Sequence, residues 1–243
     1  MGLTTYNPDG YIIRIGETAI MQMCLSGLEA YSVSHRGNKR HKTGLETYGL
    51  LFGHETVLPN EKTLYCIEFL DTDVSAERTR TSCRPNPASL TLKRDILTSF
   101  FPQYEFMGDF HTHPCTDTRS EIIKDGSYKF SPCDYRHIEG FSDHWRHHHY
   151  RVGIVVTISL MKKNTRKGAN SIDSSTVEFT LGNYRLFLKG YIAVLDEDET
   201  DIMLLDDESV SLHCPSLSGH LGEYTEFGRG RKASRIRHVC GNI

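Results

Sequence analysis

No stretch of this chain approaches the ~18 consecutive apolar residues that a membrane-spanning helix needs, and the longest apolar runs have the length of strands. The first residues show neither the basic segment nor the apolar core of a secretory leader. Tyr6 also stands where a myristoylation signal calls for Ser or Thr. A strong charge of one sign is lacking as well. The formal net charge is -3, so general polyanion binding is not expected and nucleic acid is not among the expected partners. The seven cysteines (Cys24, Cys66, Cys83, Cys115, Cys133, Cys214, Cys240) are odd in number, scattered, and without a C-x-x-C pair. That removes zinc ribbons and thioredoxin-like motifs, and leaves reduced thiols in a cytoplasmic protein as the simplest reading. What is present is ordinary: 38% hydrophobic and 24% charged residues over 243 positions, enough for a substantial core.

Periodicity divides the chain into alternating strands and helices. Residues 11–15 read as a short strand, and residues 18–31 carry Ile20, Met23, Cys24, Leu28 and Tyr31 at helical spacing. A basic turn at 35–44 precedes strand-like runs at 47–52 and 63–70. Residues 89–101 return to a helical pattern between Pro87 and Pro102, and 104–111 form a strand. A helix opens at Ser131, and a β-branched strand spans 152–160 with a partner at 177–181. Residues 184–195 fit a strand or a helix equally. This alternation predicts a layered α/β domain over 11–195. Residues 196–243 read as a charged C-terminal extension, acidic from Asp196 to Glu208 and basic from Arg229 to His238. It is either a solvated tail or a partner-binding one.

The residues that carry chemistry lie in the middle. In Gly108-Asp109-Phe110-His111-Thr112-His113-Pro114, His111 and His113 fall two apart on a strand and project from one face, where both can approach one ion. Pro114 is expected to end ladder pairing after the second histidine. Ser131-Pro132-Cys133-Asp134 reads as a helix start with Ser131 at the cap and Pro132 at the first helical position. Asp134 then sits in the first turn, either as a capping carboxylate or as the third member of a His2Asp metal set. Such a set leaves a fourth position for water, the open geometry of a hydrolytic zinc site. Ser131 could donate its hydroxyl to an oxyanion. Glu46 is either an edge charge or a general base. Cys115 and Cys133 flank the set and are read as incidental thiols. The cluster His144-Trp145-Arg146-His147-His148-His149 is read as a solvated helix end rather than a second metal site or a contact for an acidic partner.

Taken in order, Glu46, His111-x-His113-Pro114 and Ser131-x-x-Asp134 resemble the JAMM (MPN-plus, JAB) zinc metalloproteases. The Tyr48-Gly49-Leu50-Leu51-Phe52-Gly53 run and Gly108-Asp109-Phe110 look like the prokaryotic branch of that family. The resemblance spans residues 18–160. It implies a three-layer fold similar to that of cytidine deaminases, with a mixed twisted β-sheet flanked by helices. It implies Zn2+ held by His111, His113 and Asp134, with Glu46 activating the water and Ser131 stabilising the tetrahedral intermediate. The implied substrate is a ubiquitin-like protein or its conjugates, cut after the modifier's C-terminus in deconjugation or precursor processing. Activating and conjugating enzymes of the same pathway are the implied partners. The sequence departs from the family in the long segment between His113 and Ser131. The inserted loop 115–130 is expected to lie over the cleft and grip the substrate tail, or to be a tolerated excursion.

Three other readings compete with this one. Asp109-x-His111-x-His113 also resembles the opening of PHP-type phosphoesterases and amidohydrolases, but its mid-chain position leaves too little sequence for a barrel of ~250 residues. Zinc deaminases require H-x-E and P-C-x-x-C elements, which the chain lacks. A catalytically silent MPN-type scaffold or binding module in a ubiquitin-like conjugation assembly is the alternative of a different class.

Overall fold

The computed structural model describes residues 10–36, 41–140, 145, 148–162, 168–196, 201–205 and 207–219. The chain starts with strand β1 (Tyr11–Ile15) and helix α1 (Glu17–Ser32), then a small ribbon of β2 (His35–Arg36) and β3 (His41–Lys42). Strands β4 (Tyr48–Val57) and β5 (Thr63–Thr72) form a long hairpin, followed by a second ribbon, β6 (Glu77–Arg78) and β7 (Cys83–Arg84). Helix α2 (Pro87–Phe100) leads into β8 (Glu105–Cys115), and α3 (Arg119–Asp125) and α4 (Pro132–Gly140) follow. Strands β9 (Tyr150–Leu160), β10 (Asn170–Asp173), β11 (Thr176–Leu181), β12 (Tyr184–Leu195), β13 (Ile202–Leu204) and β14 (Val210–His213) precede a short helix α5 (Pro215–Gly219). Among the described residues no helix is long and apolar enough to cross a membrane.

Ten strands make one mixed sheet in the order β10-β11-β12-β9-β8-β4-β5-β1-β14, with β13 beside β12. The β8–β9, β5–β1 and β1–β14 pairs are parallel, and the remaining pairs antiparallel. The sheet curls. A Cβ at Gly190 of β12 would lie 2.9 Å from Ile13 Cδ1 and 3.3 Å from Leu212 Cδ1, although β1 and β14 stand far from β12 in the strand order. The inner face carries the main core, including Ile13, Leu51, Phe110, Ile154, Leu186 and Ile192, each at most 1% exposed. At about 1.5–3 kcal/mol for each large apolar side chain removed from water, this face dominates the stability. Helix α1 covers it with Ala19, Ile20, Met23 and Cys24. Gly27 permits the close approach, because a Cβ there would meet Ile158 Cδ1 at 2.9 Å.

The opposite face is mixed in character. Tyr48, Leu50 and Phe52 pack under Leu90 and Leu97 of α2, and Phe187 packs under Ile122 of α3 with Tyr128. Asn86 caps α2 by accepting a hydrogen bond from the Ala88 N–H, with Pro87 opening the helix. Between these two apolar patches lie the polar groups of the site.

Several expectations are revised. Strand β4 runs on to Val57 because its ladder with β5 continues through residues 54–57, whose side chains are exposed and leave no apolar pattern. Residues Tyr184–Leu195 are a strand buried on both faces between β11 and β9, a situation in which apolar periodicity cannot separate strand from helix. Pro114 does not end the ladder. Pairing of β8 with β4 stops at His111, but pairing with β9 continues through Pro114↔Ile158 to Cys115↔Ser159.

The inserted loop 115–130 holds a helix, α3. Thr118 and Glu121 form a capping box at its start, and Gly126 ends it in the left-handed region. Arg119 ties it to Glu178 of β11 at 2.8 Å. The acidic segment after Leu195 is not a separate tail over its described part. Ile202–Leu204 pairs with β12, and Val210–His213 pairs with β1. Asp207 Oδ1 lies 2.7 Å from Nζ of the fully buried Lys189, which holds this segment against the sheet. The basic block from Arg229 to His238 lies outside the described residues, as do His144, Arg146 and His147 of the His144–His149 cluster.

Candidate metal centre

The geometry starts with a bulge. Register between β4 and β8 shifts at Leu51/Phe52, opposite Gly108, whose φ is 146°. A Cβ at Gly108 would stand 1.9 Å from the Val152 carbonyl oxygen, so only glycine lets β8 and β9 meet there. Beyond the bulge Asp109, His111 and His113 follow at alternate positions and share the mixed face. Under them Tyr48 Oη donates to Asp109 Oδ2 at 3.2 Å, and buried Arg151 donates to the same oxygen. These charge-assisted contacts brace the floor from which the histidines rise.

Helix α4 brings the third group. Its start is reciprocal: the Ser131 N–H donates to Asp134 Oδ2 at 2.7 Å, and the Asp134 N–H donates to Ser131 Oγ at 3.4 Å. Asp134 therefore does cap the helix, and with the same carboxylate it faces both imidazoles. His111 Nε2 lies 3.2 Å from Asp134 Oδ1, His113 Nε2 lies 3.5 Å from Asp134 Oδ2, and the two Nε2 atoms are 3.1 Å apart. Four-coordinate zinc with bonds of about 2.0–2.2 Å separates its ligands by roughly 3.3 Å, so the three donor groups fit one such ion. They leave one corner of the tetrahedron to a small ligand.

Electrostatics favour the ligand forms. Burial lowers the His111 pKa and outweighs the opposing pull of Asp134, which keeps the imidazole neutral at neutral pH. Burial would raise the Asp134 carboxyl, but hydrogen bonds from His111, His113 and Ser131 hold it far below the usual carboxylate range. Glu46 is 9% exposed. Its pKa is pushed up to about 7, chiefly by burial, with His113 lowering it and Asp134 raising it.

The chain just before β4 is pinned beside the histidine strand. The Thr112 N–H donates to Thr47 O, and the Thr47 N–H donates to Thr112 Oγ1. Glu46, just ahead of Thr47, thereby comes close enough to His113 and Asp134 for both to act on its carboxyl. The structure thus gathers His111, His113 and Asp134 at bonding distances, with Ser131 at the helix cap and Glu46 within electrostatic reach. Cys115 and Cys133 stand apart: the first donates to Asp117, and the second accepts from Arg136.

The sequence matches no family model and no curated protein. Among solved structures it is similar to the solution structure of protein DSY2949 from Desulfitobacterium hafniense, at 13% identity and a TM-score of 0.41 over 82% of this chain and 92% of that one. The N-terminal domain of Trichoplax adhaerens STIL matches at 11% identity and a TM-score of 0.36, over 75% of this chain and 43% of that one. At such scores neither bears on fold family or function.

Two features of the structure, one beside the site and one apart from it, are not among the sequence expectations. An aromatic wall stands beside His111: the Phe130 ring lies 6.0 Å from His111, 5.2 Å from Tyr135 and 4.3 Å from Tyr191. The Phe130 N–H donates to Tyr191 Oη, which locks the residue just ahead of Ser131. Phe130 adjoins the Ser131 motif, so its place next to the site was legible, whereas Tyr191 comes from a distant strand. The second feature is another donor set. Among the described residues, His54, Cys66 and Glu68 also bring ligand atoms within 4.8 Å of one another.

Proposed function

We propose that this chain is a zinc-dependent peptidase of the JAMM type. It would hydrolyse the isopeptide or peptide bond that follows the C-terminus of a ubiquitin-like protein, on a domain of the cytidine-deaminase-like kind. The observation that carries the reading is the convergence of His111, His113 and Asp134 with a buried glutamate whose pKa is about 7. The large mixed sheet with helices on its two faces supports the fold expectation. When bound, zinc would supply Lewis acidity to the scissile carbonyl and to a water.

The chain's own residues do the remainder. Glu46 accepts a proton at its carboxylate from the attacking water as the C–O bond forms, and returns it to the leaving amine as the tetrahedral adduct collapses and the amide C–N bond breaks. A base with a pKa near ambient pH suits both transfers. Ser131 Oγ accepts from the Asp134 N–H and its hydroxyl lies beside the Asp134 carboxylate, from which it would turn to donate to the developing oxyanion. Phe130 and Tyr191 shield one side of the site from water, which strengthens each of these interactions.

The test is cleavage of a ubiquitin-like protein fused through its C-terminus to a reporter, with metal-loaded wild type and Glu46→Gln in parallel. Release at the modifier's C-terminus by wild type alone supports the reading. Stoichiometric zinc without cleavage of any such fusion would replace it with the silent scaffold.

A further inference from the structure

A second donor set lies on the outer half of the β4–β5 hairpin. His54 and Cys66 are direct Cα partners on antiparallel strands, so their side chains leave the sheet on the same face. The pairing passes from Phe52↔Phe69 to Gly53↔Ile67, which leaves Glu68 as the extra residue of a β-bulge. Bulges re-aim side chains, and here the carboxylate comes within 4.8 Å of the His54 and Cys66 donor atoms. The backbone is pinched at this point: a Cβ at Gly53 would stand 1.7 Å from the Cys66 carbonyl oxygen. Cys66 is 4% exposed, His54 is exposed, and Glu68 is intermediate. The sulfur is thus set in the sheet, while the other two donors can close on an ion from the solvent side.

We propose that His54, Cys66 and Glu68 form a second metal site for zinc or a divalent ion of the same borderline-soft class. One thiolate, one imidazole and one carboxylate are a zinc-type donor set, and water completes the tetrahedron. Magnesium and calcium prefer all-oxygen shells and are disfavoured by the sulfur. Binding requires that Cys66 release its proton to solvent; the thiolate and the Glu68 carboxylate then balance the dication. Arg14, partnered with Cys66 across β1–β5 and 3.9 Å from Glu68, is half-exposed and can remain beside the carboxylate's outer oxygen. An ion here clamps the two strands where the bulge interrupts their ladder, on the hairpin whose other end leads back to Glu46.

Cobalt(II) separates this site from the histidine–aspartate centre, because only a thiolate ligand produces the near-ultraviolet sulfur-to-cobalt charge-transfer band. Metal-free, reduced protein is titrated with cobalt. The band is expected in wild type and in His113→Ala, and it should vanish in Cys66→Ser. In His54→Ala the cobalt affinity read from the band should fall by at least the roughly tenfold that even an outer-shell change costs. His54 is exposed, so that variant tests the site without endangering the fold. No band in wild type, a band that survives in Cys66→Ser, or unchanged affinity in His54→Ala would each overturn the proposal. Loss of the band in Cys133→Ser would overturn it too, by assigning the sulfur to an exposed thiol.

Discussion

Replacing Glu46 by Gln should remove turnover and at the same time stabilise the metal-free protein. The sign follows from the raised pKa. Folding lifts the carboxyl from 4.5 to about 7, mainly because burial disfavours its charged form. The folded state therefore holds this proton more tightly than the unfolded chain. The associated stability is fully present below pH about 4.5, falls as pH rises, and is lost above about 7. The difference corresponds to at most about 3 kcal/mol. Solvent screening at the residual exposure of Glu46 reduces it, so an effect of about 1–2 kcal/mol is the working figure. Gln keeps the shape and carries no charge.

At about 2–4 °C per kcal/mol for a chain of this size, Glu46→Gln should melt roughly 2–8 °C above wild type at pH 8 in chelator, with little difference at pH 5. Calorimetry at the two pH values measures it. A zinc titration of the same variant should show binding close to wild type, since the ligands are intact. Equal Tm values at pH 8, or a larger gain at pH 5 than at pH 8, would refute the claim that a buried base with a raised pKa sits here. Near-wild-type cleavage by the variant would refute its catalytic role.

Gly108→Ala should lose at least about 3 kcal/mol in urea unfolding, from backbone strain at φ 146° and the clash with the Val152 carbonyl, and a wild-type midpoint would contradict the bulge argument. Ser131→Ala should retain zinc, lower kcat about 100-fold, and cost about 1 kcal/mol through the lost helix cap. An unchanged kcat in a reporter-fusion assay would remove Ser131 from the chemistry while leaving its capping role.

How much of this was legible follows the range of the interactions. His111, His113, Ser131 and Asp134 could be read because each pattern is local: two residues along a strand, or one helical turn from a cap. Glu46 required the family resemblance, for no local rule says which carboxylate a strand partner will meet. Helix α3 was legible in retrospect through Thr118, Glu121 and Gly126, but Ile122 is its one fully buried side chain, so no apolar stripe announced it. Strands β13 and β14 were hidden by acidic neighbours; β13 folds back on the adjacent β12, but the pairing of β14 with β1 spans most of the chain. The His54–Cys66–Glu68 set needs the β4–β5 register and its bulge, and neither is written in the spacing of those residues.

The central claim is that His111, His113 and Asp134 hold one zinc ion. Zinc content per chain, measured after reconstitution and removal of loose metal, tests it most directly when wild type is compared with His113→Ala. The account predicts a difference of about one zinc per folded chain, whatever the second donor set contributes. Equal zinc content in the two folded proteins would contradict it.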